Sequence, residues 1–353
     1  MGICLFSRSR LKYRKGVGAM EERNYPLYLY AAGRMLPRMA EQDPKYIEVK
    51  NEITTTRIGY EGETRSDQMI RRACLPRHSR VLHDLTIRVF GEDPIQIDTL
   101  VITKHFAFII EVKNISGTLE LEQHPALLKR TAKDGKVSYF QSPFVQLNMA
   151  IDTVAYWLLA QNIEIPVKGT VFLASKYAEP HFEPGMPIHF IREIPDLFRN
   201  ELKNHPPAID EAAVEWIASA LRYQEEPYDH FPLVQHFNHT QDNLHTEPLC
   251  TECLGRLETH TKRMGTCMKC ELRQWIPYTE TLVDYFLIYC KKASLTECSN
   301  FINLGRSKTA ELLKSPLFLR HGKTNNTVFE LNRPNIRISR EGKLIVPGDE
   351  KVK

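Results

Sequence analysis

The chain has 353 residues, which is too long for one ordinary hydrophobic core and predicts two or three domains. Its hydrophobic content of 42% and charged content of 25% are those of a soluble globular protein rather than a disordered chain. A net charge of +4 does not by itself indicate a polyanionic partner such as nucleic acid.

No apolar run reaches the roughly 18 residues that are needed to span a bilayer, so we expect no membrane partner. Residues 1–16 are charged and lack the long apolar segment of a signal peptide, which favours a cytoplasmic location. The sequence leaves open whether the chain forms a homo-oligomer.

From residue 57 onward, the hydrophobic pattern becomes regular. It predicts, in chain order, a helix at 62–75, strands at 80–89, 95–102, 106–113 and 117–122, a helix at 142–160, a strand at 169–175 and a helix at 209–221. Ser142 is the expected cap of the helix at 142–160, and Pro143 occupies its first turn. Alternation of helices and strands predicts an α/β layer of about one domain's length.

Ionised side chains interrupt two of these apolar strands. Asp98 lies in IQIDTLVI, whereas Glu111 and Lys113 lie in FAFIIEVK, two positions apart and therefore on one face of their strand. Burying such charges is costly unless they pair or bind a metal ion. Two converging carboxylates attract a hard divalent cation, and Lys113 would orient a water or stabilise charge on a phosphate. The plainer alternative is a buried Asp98–Lys113 salt bridge, with Glu111 at the solvent end of its strand.

Four ordered motifs, GYEGE, QIDTLVI, FAFIIEVKN with a glycine shortly after it, and SPFVQL, resemble those of the NERD (nuclease-related) domain family. The resemblance covers residues 57 to about 180. It implies a restriction-endonuclease-like core, in which a mixed sheet is flanked by helices and carries a D-(D/E)xK site. One departure is Ser142-Pro143, where the family often has Asn-Pro; since both pairs cap a helix, we expect little effect.

The resemblance also implies a role for each matched residue. Glu63 would be an accessory acid, Asp98 and Glu111 would be ligands of Mg²⁺ or Mn²⁺, Lys113 would be the catalytic lysine, and Gln146 would line the pocket.

Two of these residues have plainer alternatives, and two of their neighbours are interpreted as structural. Glu63 could be an ordinary acid in the first turn of its helix, and Gln146 could be a solvated helix residue. His83 and Asp84 are expected at the edge of the sheet, where they would play a structural part.

Four of the eight cysteines crowd into one short stretch, which predicts a metal centre rather than disulfides. The pattern is two CxxC pairs separated by 13 residues, formed by Cys250, Cys253, Cys267 and Cys270. Four thiolates complete a tetrahedral Zn²⁺ shell, so the ion would be structural, as in a zinc ribbon, and the nearby His245 and His260 would be bystanders. A redox CxxC pair is the alternative.

Basic and aromatic residues accompany this cluster. Trp275 and several cations could contact a base and phosphates of a nucleic acid, although a solvated basic surface is equally compatible; these cations are Arg256, Lys262, Arg263, Lys269 and Arg273. Residues 250–323 hold 12 Lys and Arg against 7 Asp and Glu, a local excess that suggests nucleic acid.

The segment SLTECSNFINLGRSKTAELLKS resembles a helix-turn-helix with Gly305 in the turn, and a hairpin with a turn at Asn325-Asn326 would add a wing. The second helix of such a motif enters the major groove by its N-terminal end. The residues expected to contact DNA are therefore Arg306, Ser307, Lys308 and Thr309. A plain helical hairpin is the alternative.

The sequence as a whole predicts a metal-dependent nuclease that hydrolyses phosphodiester bonds, with DNA as the expected partner. The alternatives are a catalytically inactive NERD-fold regulator that binds DNA and a scaffold within a larger assembly. The predicted divisions are an N-terminal extension (1–56), the NERD nuclease-like domain (57–200), a helix and linker (201–245), a Cys4 zinc ribbon-like module (246–278), a helix-turn-helix-like or winged-helix-like module (279–335) and a tail (336–353).

Overall fold

The computed structural model describes residues 19–88, 94–225, 228–323 and 327–347. The start of the chain, from which the location was predicted, and the expected turn at Asn325-Asn326 lie outside the described residues. No helix in the described ranges is long and apolar enough to cross a membrane.

The chain divides into two compact units: unit 1 consists of Met1–Arg23 and Glu61–Tyr228, and unit 2 consists of Asn24–Tyr60 and Asp229–Lys353. The α-helices are Leu27–Met35 (α1), Tyr46–Arg72 (α2), Pro143–Ala160 (α3), Ile194–Asn204 (α4), Glu211–Tyr223 (α5), Leu233–His236 (α6), Tyr278–Asp284 (α7), Leu295–Phe301 (α8) and Arg306–Leu312 (α9). The strands of unit 1 are Ala19–Met20 (β1), Arg80–Ile87 (β2), Ile95–Ile102 (β3), Ala107–Lys113 (β4), Gly117–Gln123 (β5), Ala126–Thr131 (β6), Val137–Gln141 (β7), Val167–Leu173 (β8), Ala178–His181 (β9) and Ile188–Phe190 (β10). The strands of unit 2 are Leu257–Thr259 (β11), Met264–Cys267 (β12), Arg273–Trp275 (β13), Lys292–Ser294 (β14), Phe318–His321 (β15) and Val328–Leu331 (β16).

Unit 1 is built on a six-stranded mixed sheet in the order β1-β2-β3-β4-β8-β10. Strands β2, β3 and β4 are antiparallel, whereas β8 runs parallel to β4 because α3 and the chain before it provide the crossover. Apolar residues of α3 and α5 cover one face of the sheet, and those of α2 and α4 cover the other. The predicted α/β class, with helices flanking a mixed sheet, is confirmed.

A second sheet of unit 1, in the order β7-β6-β5-β9, was only partly predicted. The sequence indicated β5, but not the β6–β7 hairpin that pairs with it, because that hairpin carries mostly exposed or half-exposed side chains without a clear apolar alternation. Gly117 opens β5 with a φ of +100°, and a Cβ there would lie 2.4 Å from the carbonyl oxygen of Thr131. Only glycine fits this close approach of β5 to β6.

Unit 2 contains two three-stranded antiparallel sheets, β11-β12-β13 and β14-β16-β15. Its apolar core joins α1, α6, α7, α8 and β16. The helix predicted at 62–75 is the end of the longer α2, which starts at Tyr46 because Val49 and Ile53, four positions apart, are buried in this core.

An ion cluster is buried inside unit 2. Asp284 on α7 pairs with Arg34 and Arg38 of the first helical segment, and its Oδ2 lies 2.9 Å and 2.6 Å from their respective Nη2 atoms. All three side chains are buried, and Arg38 also donates to the carbonyls of His245 and Glu247 at 3.1 Å and 2.8 Å. The carboxylate is therefore the shared counter-charge of two desolvated guanidinium groups.

We expect Asp284→Asn to destabilise unit 2 by about 3–5 kcal/mol, because it leaves two buried guanidinium groups without a negative partner. Hydrogen exchange of peptides from α1 and α7 measures the local free energy of opening. The matched control is Asp229→Asn, which breaks a partly exposed pairing with Lys291 and Arg333 and should cost no more than about 1 kcal/mol. Equal effects of the two substitutions would contradict the role assigned to Asp284.

Candidate active site and metal centre

The centre of the candidate active site is the point where β3 and β4 stop pairing. Their register runs from Ile102 opposite Ala107 to Thr99 opposite Ile110, and one further residue would place Asp98 opposite Glu111. There the Asp98 Oδ2 accepts a hydrogen bond from the Val112 amide at 2.9 Å. A carboxylate thus replaces the backbone acceptor of the ladder, which fixes Asp98 beside β4 without leaving a buried amide unpaired.

Glu111 and Lys113 lie on one face of β4, as predicted from their spacing. The Lys113 Nζ lies 2.6 Å from the Glu111 Oε1 and 2.8 Å from the Gln146 Oε1 on α3. Glu111 is buried and Lys113 is half-buried. Lys113 therefore forms its ion pair with Glu111. Among the described residues it forms none with Asp98, so the alternative of an Asp98–Lys113 salt bridge is wrong.

Gln146 is held from two sides rather than left in solvent. Its amide oxygen accepts from Lys113, and its Nε2 donates to the Gln141 Oε1 at 3.2 Å. The expected cap of the same helix, Ser142, is buried but makes no side-chain capping hydrogen bond, whereas Pro143 occupies the first turn as predicted.

Glu63 reaches the site from α2. The preceding Gly62 packs against the segment after β4, since a Cβ at this position would lie 2.7 Å from the Cβ of Asn114. This close approach explains why a glycine precedes the acid in the GYEGE motif. Glu63 lies in the middle of the 27-residue α2 rather than in its first turn, so the first-turn alternative does not apply.

Arg23 is a member of this site that the sequence did not reveal. Its Nη1 lies 2.7 Å from both the Glu63 Oε2 and the Asp84 Oδ1, and its Nη2 donates to the Asp98 carbonyl at 3.0 Å. Its Nε donates to the buried Asp67 at 3.0 Å. This buried guanidinium is therefore the cation that balances the acidic side of the site.

His83 is buried on β2 and lies opposite Thr99 of β3, whereas the pairing of β2 with β1 covers only Arg80 and Val81. The structural role expected for His83 stays a prediction. The His83 Nδ1 lies 3.0 Å from Arg23 and 3.2 Å from the Thr99 hydroxyl. Burial and, next, the charge of Arg23 lower the pKa of His83 to about 2, so it stays neutral. Asp84 has a φ of 51° and is the one residue of β2 between His83 and Leu85 that is not paired with β3, at the position opposite Asp98. Its carboxylate forms an ion pair with Arg23.

Electrostatic crowding shows that the acids share one environment. Burial and, next, the charge of Asp98 raise the pKa of Glu63 to about 8 and that of Glu111 to about 7. Each of the two acids therefore gains a proton more readily than an exposed carboxyl does. A divalent cation between them would relieve the same repulsion, which makes the set chemically suited to a hard metal ion.

The acids are nevertheless not gathered onto one point. Glu63 is drawn to Arg23 and Glu111 to Lys113. In the part of the chain that the structure describes, the cysteine set is the one group of three or more acidic, histidine or cysteine side chains whose ligand atoms all lie within 4.8 Å of one another. Binding one ion with these carboxylates would therefore require their side chains to turn away from the two cations.

The four cysteines of unit 2 form a compact metal-ligand set. The Sγ atoms of Cys250 and Cys270 lie 3.8 Å apart, and those of Cys253 and Cys267 lie 3.5 Å apart. A tetrahedral Zn²⁺ with bonds of about 2.3 Å requires sulfur–sulfur separations of about 3.8 Å. This cluster can hold a metal ion, and its chemistry is compatible with a zinc ribbon.

Two equivalent turns build the set. In each turn the first cysteine amide donates five residues ahead, from Cys250 to Gly255 at 2.7 Å and from Cys267 to Leu272 at 2.9 Å. The residue after each second cysteine, Leu254 or Glu271, has a φ near +60°. Although burial opposes it, the amides of residues 270 and 269 lower the pKa of the Cys267 thiol to about 7, which favours the thiolate that metals bind.

The residues predicted to contact DNA lie at the start of α9. Arg306, Ser307 and Lys308 are exposed. Thr309 is buried, and its hydroxyl donates to the carbonyls of Leu304 and Gly305 at 3.4 Å and 3.2 Å, so it fixes the turn instead of facing solvent. Of the two bystander histidines, His260 lies 2.9 Å from the Thr266 hydroxyl, outside the cysteine set.

Comparison with known proteins supports one part of this reading. No curated protein and no solved structure matches the chain. The family model described as the nuclease-related domain, NERD, matches residues 58–174, a stretch that includes the elements from the second half of α2 to the end of β8. The resemblance inferred from the four motifs is confirmed, and about a third of the chain, residues 58–174, carries the sequence of a nuclease-related domain.

Proposed function

We propose that the protein is a divalent-metal-dependent nuclease of the D-(D/E)xK type that hydrolyses phosphodiester bonds in DNA. The observation that carries this proposal is the placement of Asp98 and Glu111 at the end of the β3–β4 ladder, with Lys113 on the same strand face as Glu111, inside a nuclease-related domain. A protein that only binds DNA has no need for three partly desolvated charges at one place.

Asp98 and Glu111 would hold Mg²⁺ or Mn²⁺, because carboxylate oxygens are the ligands that hard cations prefer. When bound, the ion supplies a Lewis acid for a phosphoryl oxygen and makes its bound water more acidic. The hydrogen bond from Val112 keeps Asp98 in place, so the chain does not have to order this ligand when the ion arrives.

Lys113 has three ammonium protons, and Glu111 and Gln146 take two of them. The remaining donor suits Lys113 to orient the attacking water or to stabilise charge that builds on the phosphate. Gln146 would position this lysine, and Glu63, held by Arg23, would act as the accessory acid.

The other modules would supply affinity for nucleic acid. The order α7, β14, α8, α9, β15, β16, with β14 paired to β16, supports a winged-helix interpretation of the predicted module. In this proposal the four cysteines hold a structural Zn²⁺, and the catalytic core is restriction-endonuclease-like. The exposed residues Arg306, Ser307 and Lys308 contact the DNA.

We expect Lys113→Met to lower metal-dependent cleavage of plasmid DNA by about 100- to 1,000-fold, the usual loss when a group that stabilises transition-state charge is removed. Gel assays with Mg²⁺, with Mn²⁺ and without added metal measure this change. The matched control is Lys129→Met, which removes a partly exposed lysine paired with Glu120 in the same unit and should change the rate by less than about twofold. Absence of metal-dependent cleavage by the unaltered chain would favour the inactive regulator or the scaffold instead.

We expect binding of Mn²⁺ to release protons near neutral pH. Glu111 and Glu63, with pKa values of about 7 and about 8, are partly protonated at about pH 7. The ion binds only ionised Glu111, and its charge favours ionisation of the nearby Glu63, so affinity should rise with pH until both are ionised. Calorimetry in buffers of different ionisation enthalpy counts the released protons.

Asp98→Asn gives the complementary measurement. It keeps an oxygen acceptor for Val112 but removes the charge that helps to raise the pKa of Glu63 and Glu111, so both values should fall. NMR titration of the side-chain carboxyl carbons of the glutamates, without metal, measures these two pKa values directly. Unchanged titration, together with pH-independent binding of Mn²⁺, would contradict the shared acidic site.

We expect the purified chain to contain about one Zn²⁺, since four thiolates complete its shell, and Cys253→Ser to lose it. Elemental analysis gives the metal content, and hydrogen exchange of peptides from β11 to β13 should lose protection together with the metal. Cys74→Ser, an exposed cysteine outside the set, is the control that should keep both. Two oxidised CxxC pairs without zinc would instead favour the redox alternative.

A further inference from the structure

Unit 2 contains a cleft between the β11–β12 turn and the end of β13 on one side and α9 with the turn before it on the other. The cavity is about 420 Å³, within the range of sites that accept small organic groups. The apolar part of its lining comes from Ile276, Leu304 and Leu312, the first two of which are buried. A groove with such a lining excludes water from part of whatever it binds.

The most exposed apolar member of the lining is Trp275, with 66% of its surface accessible. It is the last residue of β13 and lies opposite Met264 of β12, so its backbone is fixed by the sheet. Leaving an indole in water forgoes a large hydrophobic gain, and an indole on a rigid strand is a preformed surface for stacking. This arrangement suits a flat aromatic ligand.

The polar part of the lining is mostly positive. Lys262, Arg263 and Lys308 line the cavity, against a single acid, Glu311. Arg263 and Lys308 are exposed and make no ion pair with any residue that the structure describes. Both cations are therefore available to an anionic ligand, and an adjacent aromatic plane and cations together match a base flanked by phosphates.

Hydrogen bonds make the cleft a preformed one. The Lys262 Nζ donates to the Asn303 backbone and side-chain oxygens at 2.7 Å and 2.8 Å, which ties the β11–β12 turn to the turn between α8 and α9. The Tyr278 hydroxyl donates to the Lys262 carbonyl at 2.9 Å. Little ordering of this wall is then needed on binding, which favours affinity.

We propose that this cleft seats an unpaired nucleotide of a single-stranded nucleic acid, with its base on Trp275 and its phosphates near Arg263 and Lys308. A base within a duplex presents its edges rather than its face, so it can stack on an indole only after leaving the helix. An acidic peptide would use the cations but would leave the indole plane without a partner. The inference rests on the proposed function only in taking nucleic acid as the ligand, and it does not depend on cleavage.

The test measures binding of the full chain by fluorescence anisotropy without added Mg²⁺ or Mn²⁺, so that no strand is cut, and without chelator, so that the cysteine cluster keeps its metal. The probes are labelled oligo(dT), oligo(rU) and a blunt duplex of about 12 nucleotides per strand, the scale of one single-strand site. Because the winged-helix-like module can also bind duplex, the cleft is read out by its dependence on Trp275: we expect Trp275 to contribute to binding of at least one single strand and not of the duplex. The two single-strand arms tell DNA from RNA.

Substitutions then assign the contacts. Trp275→Ala should weaken single-strand binding by about tenfold or more, whereas Trp275→Phe, which keeps a stacking surface, should lose only about threefold. Met268→Ala, an exposed apolar residue of the same sheet region, is the control and should bind as the unaltered chain does. The double variant Arg263→Ala/Lys308→Ala should weaken binding, and the slope of log affinity against log salt concentration should fall by the equivalent of about two phosphate contacts. Arg320→Ala, which removes an exposed cation on β15, is the control for the loss of general positive charge.

Three results would overturn the proposal: equal single-strand binding by Trp275→Ala and the unaltered chain, a loss of duplex binding in Trp275→Ala as large as the loss of single-strand binding, or Trp275-dependent binding of oligoglutamate in place of oligonucleotides. The outcome is separable from that of the nuclease proposal. Trp275-dependent binding by a chain that never cleaves contradicts the nuclease proposal alone, and cleavage by a chain whose binding ignores Trp275 contradicts this proposal alone.

Discussion

The amide of Val112 donates to the carboxylate of Asp98 and not to a strand carbonyl, and the arrangement of the acidic site follows from this substitution. The β3–β4 ladder ends where the carboxylate takes over, so the strands no longer fill the space between Asp98 and Glu111 with backbone. A sheet otherwise covered by apolar helices can only expose charged side chains where its pairing stops. The end of the ladder is such a place, and it leaves Glu111 buried but reachable by Lys113.

Positive charge from two directions makes this concentration of acids tolerable. Arg23 contacts Glu63 and Asp84 on one side, and Lys113 contacts Glu111 on the other. Neither cation fully offsets burial, since the pKa values of Glu63 and Glu111 remain raised to about 8 and about 7. The group of acids is therefore electrostatically unsatisfied, a property that is typical of ligand-binding sites rather than of groups that only stabilise the fold.

The sequence indicated those members of the candidate site that lie close together in the chain. Ionised residues within apolar strands, and a spacing of two, indicated Asp98, Glu111 and Lys113 without coordinates. The sequence did not indicate Arg23, because it follows a strand, β1, of only two residues, which gives no recognisable pattern. Its carboxylate partners also lie 40 to 61 positions away in the chain. No periodic pattern encodes a contact of that length. A related limit applies to TLVDYFLIYCKKA, residues 281–293, whose apolar pattern indicates one continuous helix. The chain instead changes to a π-helix over Tyr285–Tyr289, and Lys292 starts β14, because pairing with the distant β16 overrides local helix propensity.

In unit 2, short elements depend on specific local bonds. The helices α8 and α9 have seven residues each, too few to be stable alone. A capping box holds the start of α8, where the Ser294 hydroxyl accepts from the Glu297 amide at 3.3 Å and the Glu297 carboxylate accepts from the Ser294 amide at 2.7 Å. Buried Thr309 and the Lys262–Asn303 bonds fix the turn that follows. Because the Lys262–Asn303 bonds join two walls of the cleft that Trp275 lines, this part of its shape is already present in the free protein, and the proposed ligand would have to order little of it.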